Sequence, residues 1–284
     1  MIALIAPHGQ LGAALAERLT GDVLLWDRDT LDITDPEAVE ETIRIDRPEI
    51  VINTAAYNLV DRAEDEPEAA YAVNSLGPKQ LAVACARNGA ALVHVSTDYV
   101  FGADVNRMAP YRETDEPGPL GEYGRSKLAG ERWVASICPR HFIVRTCGLY
   151  GRATSGKGNF VKTMLRLAGE GKPIAVVNDQ RCTPTSTVDL ADAIARLVAT
   201  DRYGLYHATN AGATTWHDFA AAIFRLTGTR ADLRPIPSAD YKTAARRPSY
   251  SVLDCGKLAG LGIALSPWED ALAAYLATNS RDPR

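Results

Sequence analysis

Short apolar runs alternate with amphipathic stretches through the first half of the chain. Residues 2–6 (IALIA) are an unbroken apolar run of strand length, and Leu11, Leu15 and Leu19 then recur every four positions, the spacing of one helix face. Residues 23–26 (VLLW) read as a second strand ending at Asp27. Asp35-Pro36-Glu37 is a helix start: a capping carboxylate, a proline at the first helical position and an acid in the first turn, with Val39 and Ile43 turned inward. EIVINTAA predicts a third strand and PEAAYAVNSLGPKQLAVACARNG one long helix closed by glycine. ALVHVSTDYVF predicts a fourth strand, YGRSKLAGERWVAS a helix and HFIVRT a fifth strand. Strict strand–helix alternation predicts an α/β fold with a Rossmann-type doubly wound parallel sheet.

Beyond residue 150 the rhythm loosens. Helical patterns in GNFVKTMLRLAGEG, TVDLADAIARLVA, TTWHDFAAAIFRLTG and SPWEDALAAYLAT are separated by the short strands PIAVV and GLYHAT. The expected layout is a dinucleotide-binding domain over residues 1–150, to which 186–208 returns. Residues 151–185 and 209–284 would form a smaller interleaved C-terminal substrate domain. A cleft between the two would hold a small molecule.

Composition narrows the partners. The chain has 284 residues, 46% of them hydrophobic, so a large core is expected. A net charge of −4 without any Lys/Arg block argues against nucleic-acid and membrane surfaces. The opening apolar run has no basic flank, so no signal peptide is expected, and no apolar stretch reaches the roughly 18 residues of a spanning helix. Five cysteines lack any C-x-x-C spacing and five histidines lack a metal spacing. Reduced thiols, a cytoplasmic protein and no bound metal follow.

The candidate chemistry starts in APHGQLG. Gly9 and Gly12 keep the spacing of a glycine turn that lets a pyrophosphate approach the backbone between a strand and a helix. Ala6 stands where such a turn usually begins with glycine, and its Cβ fits if φ is negative. Asp27 follows the second strand, placed to accept ribose hydroxyls. Tyr123 and Lys127 are four apart on one helix face, and Ser96, Thr97 and Asp98 close a strand. Singly, these are a tight turn, a solvated helix face and a strand-end turn. In this order they form a carbonyl-reducing set. Tyr123 would protonate the developing alkoxide, the Lys127 ammonium would lower the phenol's pKa, and Thr97 would bond the reacting oxygen. Lys157 and Asn159 precede a helix start, and Arg246 and Arg247 lie in a loop; these suit a diphosphate.

The segments GQLG, NTAAYNLVDRAEDEPEAAYAVN, STDYVFG, YGRSKLAGE, RTCGLYG, NDQRCTPT and RPSYSVLD give the chain its affinity. It resembles the dTDP-4-dehydrorhamnose reductases of the extended short-chain dehydrogenase/reductase superfamily. The resemblance implies NADH- or NADPH-dependent reduction of the 4-keto group of dTDP-4-dehydrorhamnose to dTDP-L-rhamnose. It assigns Tyr123 as proton donor, Lys127 as its partner, Thr97 beside the keto group and Asp98 to the sugar site. Gly9, Gln10, Leu11, Asp27, Asp32, Ile33, Thr54, Ala55 and Ala56 would contact the cofactor, with Tyr123 and Lys127. By their charges, Asp27 favours NADH and Arg28 suits a 2′-phosphate, so both cofactors are expected to work, with a modest lean to NADH. Asn159 and Arg247 would bind substrate. Gly148 stands where the family often has tryptophan, and a wider pocket is expected there, with closure by Tyr99 or Trp216 as the alternative.

Three other readings remain. A sugar-nucleotide 4,6-dehydratase would place Glu after Thr-Asp, where this chain has Tyr99. A non-catalytic regulator, like the β subunit of methionine adenosyltransferase, would keep the pocket without needing the donor. Cys147 or Cys182 could be a nucleophile, although neither has a nearby His in sequence. The oligomeric state, a homodimer included, is open.

Overall fold

The computed structural model describes residues 1–153 and 158–279. The first half alternates β1 (Ile2–Ile5), α1 (Gln10–Arg18), β2 (Val23–Trp26), α2 (Pro36–Asp46) and β3 (Ile50–Asn53). Two one-turn helices, α3 (Arg62–Asp65) and α4 (Pro67–Tyr71), lead through a wide turn at 72–76 into α5 (Gly77–Asn88). Then come β4 (Ala91–Thr97), α6 (Glu122–Ile137), β5 (His141–Thr146) and β6 (Leu149–Tyr150). The second half holds α7 (Phe160–Gly169), β7 (Ile174–Val177), β8 (Arg181–Cys182), β9 (Thr185–Ser186), α8 (Thr187–Val198) and β10 (Gly204–His207). It ends with β11 (Thr214–Thr215), α9 (Trp216–Thr227), β12 (Leu233–Ile236), α10 (Gly256–Ala259) and α11 (Trp268–Asn279).

Six strands form one parallel sheet in the order β10-β5-β4-β3-β1-β2. The chain runs outward from β1 to β2, then returns to β3 on the other side of β1. That reversal opens a crevice at the carboxyl ends of β1 and β3, where doubly wound sheets bind ligands. Leu4, Ile52 and Phe142 pack on one face with Leu15 of α1 and Leu190 and Ile194 of α8. Ala3, Ile5 and Val51 pack on the other with Ile43 of α2, Leu81 of α5 and Val134 of α6. A separate core of Val161, Phe219, Ile223 and Leu272 joins α7, α9 and α11 beside the sheet's carboxyl edge. Among the described residues no helix is long and apolar enough to cross a membrane.

The local signals explain the elements. Asp35 caps α2 as expected, accepting from Glu37 N and Ala38 N, with Pro36 at the first helical position. The long helix expected over residues 67–89 is broken instead. The Gly77 N–H reaches back to the Ala72 carbonyl, five residues away, and Pro78 has no N–H with which to continue the regular ladder. Asn74, at the centre of this widened turn, is buried. It accepts from Tyr57 N and donates to Ser126 Oγ on α6, so the widened turn fastens the loop after β3 to that helix.

The glycine turn also departs from expectation. Ala6 has φ +60°, not the negative φ its side chain would favour. Its carbonyl is thereby directed at Gly12, where a Cβ would come within 2.1 Å of it. The turn demands a left-handed residue, and alanine occupies it at a cost of ~1–2 kcal/mol. Ala6→Gly should relieve that strain, less the extra freedom glycine gives the unfolded chain, for a net gain of about 0.5–1 kcal/mol. Urea denaturation measures it; a less stable glycine variant would show that Ala6 is unstrained.

Candidate active site

Two adjoining clefts lie along the sheet's carboxyl edge. One, of about 400 Å³, is bordered by Gly9–Gly12, Thr54, Ala56, Thr97, Tyr123 and Lys127. The other, of about 430 Å³, is bordered by Asp27, Arg28, Asp32, Ile33, Ala55 and Ala56. They share Ala56 and Asn58. Each residue expected to contact a dinucleotide therefore borders one cleft or the other, and the glycine turn lies between.

The chemistry of this wall fits such a cofactor. Helix α1 has no side-chain cap and no acid in its first turn, so its first N–H groups are free to meet an anion. Gln10 Oε1 accepts from Gly151 N, and Thr54 Oγ1 donates to the Ile5 carbonyl, which tie the turn to its surroundings. Asp27 accepts from the backbone and hydroxyl of Thr30, which lower its pKa and hold it as a carboxylate. Asp32 is lowered in the same way by Thr34. Arg28 reaches Asp32 at 3.4 Å from an exposed position.

At the reacting end, β4 closes on Thr97, Asp98 opens the turn after it, and the second residue of α6 is Tyr123. The Tyr123 ring packs edge-on against Tyr99, centroids 5.8 Å apart. Burial pushes its phenol up to about 12; the hydrogen bond with Thr97 works against this, and the Asp98 charge adds to it. Lys127 is buried on the same helix face, one turn on. Its Nζ donates to the Val95 carbonyl at 2.7 Å and lies 3.5 Å from His94 Nε2. Burial lowers its pKa to about 8, partly offset by Glu131. His94 is itself held neutral, first by burial and then by Lys127. The expected lowering of the phenol's pKa by the ammonium is thus not present: burial governs Tyr123, and the Thr97 hydroxyl is the group that counters it. Asp98 is buried with Oδ2 lacking a hydrogen-bond partner, and burial raises its pKa.

Other expected site residues stand differently. Asn159 is a structural residue, not a ligand facing the cleft. Its Oδ1 caps α7 by accepting from Lys162 N, and its Nδ2 donates to the Gly151 carbonyl and Tyr275 Oη. An asparagine before a helix reads equally well as cap or ligand, and here the cap uses it up. Lys157 lies outside the described residues. Arg246 is exposed. Arg247 borders a further cavity of about 210 Å³, which meets the catalytic cleft at Tyr99, Gln180 and Trp216. It is already paired with Asp61, Nη2 to Oδ2 at 2.8 Å.

The wider pocket expected at Gly148 is not there. Gly148 has φ +53°, and a Cβ on it would lie 3.0 Å from the Trp216 ring and 3.2 Å from Pro184 Cα. Trp216 comes from the start of α9, so the aromatic surface is supplied from the other end of the chain. Gln180, Cys147, Cys182 and Ser251 also border the catalytic cleft. The sequence marks Cys147 and Cys182 only as candidate nucleophiles, and Gln180 and Ser251 only as members of the motifs NDQRCTPT and RPSYSVLD. The Cys147 thiol is held far above its ordinary value by its hydrogen bond to Cys182 and by burial, which suits neither a thiolate nor a nucleophile.

Comparison with known proteins shows the family and the fold. Residues 1–281 match the model of the RmlD substrate binding domain family. The dTDP-4-dehydrorhamnose reductase of Streptomyces griseus is 44% identical over 275 residues, which cover 93% of this chain and 89% of that protein. The dTDP-4-dehydrorhamnose reductase of Escherichia coli is 40% identical, with 94% of each chain covered. The crystal structure of the Bacillus anthracis dTDP-4-dehydrorhamnose reductase in complex with NADP superposes with a TM-score of 0.93 at 39% identity, covering 98% of both chains.

The packing at Gly148 gives a direct test. Gly148→Trp combines a left-handed backbone with overpacking against Trp216 and should cost about 2–5 kcal/mol of stability. Thermal unfolding measures it; a variant as stable as the native chain would show that the space is open.

Proposed function

The chain belongs to the dTDP-4-dehydrorhamnose reductase family, and from that premise we propose that it reduces the 4-keto group of dTDP-4-dehydrorhamnose to give dTDP-L-rhamnose. NADH or NADPH, when bound, supplies the hydride to C4. The observation that carries this reading is the convergence of Thr97, Tyr123 and Lys127 beside the glycine turn, in one cleft. Thr97 bonds the carbonyl oxygen and holds it within reach of the phenol. Tyr123, un-ionised at neutral pH because burial pushes it up to about 12, transfers its proton to that oxygen as the alkoxide develops. Lys127 keeps its charge below about pH 8 and, one turn from Tyr123 on the same helix face, would hold the nicotinamide ribose of the cofactor, while solvent restores the proton to Tyr123. Overall, ketone, NAD(P)H and one proton become alcohol and NAD(P)⁺.

The pocket edges support a nucleotide sugar as substrate. The cavity at Arg247 opens off the catalytic cleft past Tyr99, Gln180 and Trp216, and its guanidinium suits a diphosphate. At the position where a dehydratase would carry its glutamate, the Tyr99 ring packs against Tyr123. A non-catalytic regulator would not require the three catalytic groups, and turnover by the purified chain distinguishes it. All five cysteines are free thiols, which supports a reducing, cytoplasmic compartment.

The test is NADH and NADPH oxidation against a panel of dTDP- and UDP-4-keto sugars. Turnover on the dTDP-4-keto-6-deoxy sugar is expected with either cofactor, and none on any member of the panel would contradict the reading. Tyr123→Phe should lower turnover by roughly two to four orders of magnitude. The rate should also fall as pH rises through about 8, because the folded-state pKa of Lys127 is depressed from 10.5 and its charged form is lost there. An alkaline limb at Lys127's ordinary value would show that burial does not govern this residue.

A further inference from the structure

The acidic segment VDRAEDEPE lies next to the clefts, yet the reduction as derived uses none of its carboxylates. Two of them, three residues apart around the short helix α3, make contacts in different directions. Asp61 Oδ1 accepts from Ala245 N at 3.1 Å and from Arg247 Nη1 at 3.2 Å, while Oδ2 accepts from Arg247 Nη2 at 2.8 Å. That forked pair sets the loop around residues 243–250 and the guanidinium that borders the outer cavity. Glu64 Oε1 accepts from Glu122 N at 2.8 Å.

Glu122 is the first residue of α6 and Tyr123 the second. The N-cap position of α6 is Gly121, which offers no side-chain cap. Glu64 therefore supplies from another segment the acceptor that a serine or aspartate would supply locally. Its negative charge also sits at the positive end of the helix. The rest of the segment is anchored as well. Glu66 accepts from the Tyr57 hydroxyl and from Arg62, and Asn74 ties Tyr57 to Ser126 of α6.

We propose that Asp61 and Glu64 are positioning residues that form one brace. Glu64 sets the proton donor by capping α6, and Asp61 sets Arg247 and its loop against the substrate's diphosphate. The brace registers the diphosphate end of the site to the reacting end, although the two come from segments more than 100 residues apart in sequence. The proposal rests on the reductase reading of the cleft.

The two halves have separate kinetic signatures. Glu64→Ala should lower kcat by about tenfold, the equivalent of ~1.4 kcal/mol, with KM for the sugar nucleotide kept within about twofold. Glu64→Gln retains an acceptor oxygen and should recover most of the rate. Asp61→Ala should raise KM for the dTDP-4-keto sugar by about tenfold with kcat kept, because Arg247 loses its fixed direction. A native kcat in Glu64→Ala overturns the proposal. So does a loss of kcat and KM together that Gln does not rescue, or a native KM in Asp61→Ala. If the native chain turned over no 4-keto sugar, the reductase reading would fail on its own. The brace would then be read by calorimetry with dTDP, whose binding Asp61→Ala must weaken and Glu64→Ala must leave unchanged. Equal affinities in both variants would overturn it.

Discussion

The buried ion pair between Glu131 and Arg145 fixes the site on which everything else depends. Glu131 lies one turn beyond Lys127 on α6, and Arg145 lies on β5, two residues before Cys147. Their side chains are 5% and 3% exposed, and one edge of the guanidinium contacts the carboxylate, at 2.6 Å for Nη2 and 2.9 Å for Nε. Ser96 of β4 donates to the same carboxylate, and Arg145 lies over the Phe101 ring at 5.0 Å. Such a pair adds little net stability over apolar packing, but removing one partner strands a buried charge at a cost of ~3–5 kcal/mol. Its value here is positional. It holds α6, which carries Tyr123 and Lys127, to β5 and, through Ser96, to β4, which ends at Thr97.

With the helix held, burial does the electrostatic work. Tyr123 stays a phenol, Lys127 loses affinity for its proton, and His94 stays neutral between Asn53 and Lys127. Each change makes proton transfer at neutral pH more sensitive to what enters the cleft. In the proposed reaction a bound sugar would exclude water and bring a carbonyl oxygen whose developing charge the phenol and the Thr97 hydroxyl would meet without rearrangement. In the proposed reaction the glycine turn would meet the cofactor with uncapped N–H groups, at the cost of a strained Ala6.

The architecture was legible because hydrophobic periodicity is local. Strand runs such as IALIA, the Asp35 cap and the Tyr123/Lys127 spacing each carry their meaning within a few residues. What was not legible depended on distant partners or on backbone geometry. The positive φ of Ala6 comes from the turn's need to seat its carbonyl over Gly12, which no pattern of side chains reports. The space at Gly148 is filled by Trp216, 68 positions away in the chain, which the sequence offers only as the alternative to a wider pocket. Asn159 looked like a ligand because its partners, Gly151 and Tyr275, meet it only in the fold. The Tyr123/Lys127 spacing points to an ammonium acting on a phenol, whereas the closest polar contact of Lys127 is the Val95 carbonyl.

The central claim is that this cleft places hydride on C4 of the sugar and the Tyr123 proton on its oxygen. Deuterium transfer tests it most directly. The purified chain is incubated with the dTDP-4-keto-6-deoxy sugar and NADPH bearing deuterium in the transferable position at C4 of its nicotinamide, and the product is read by NMR and mass spectrometry. The account predicts dTDP-L-rhamnose with one deuterium at C4 and none elsewhere, and no such product from Tyr123→Phe on the same timescale. Oxidation of the dinucleotide with no deuterium at C4 of the sugar, or undiminished product from the Phe variant, would contradict it.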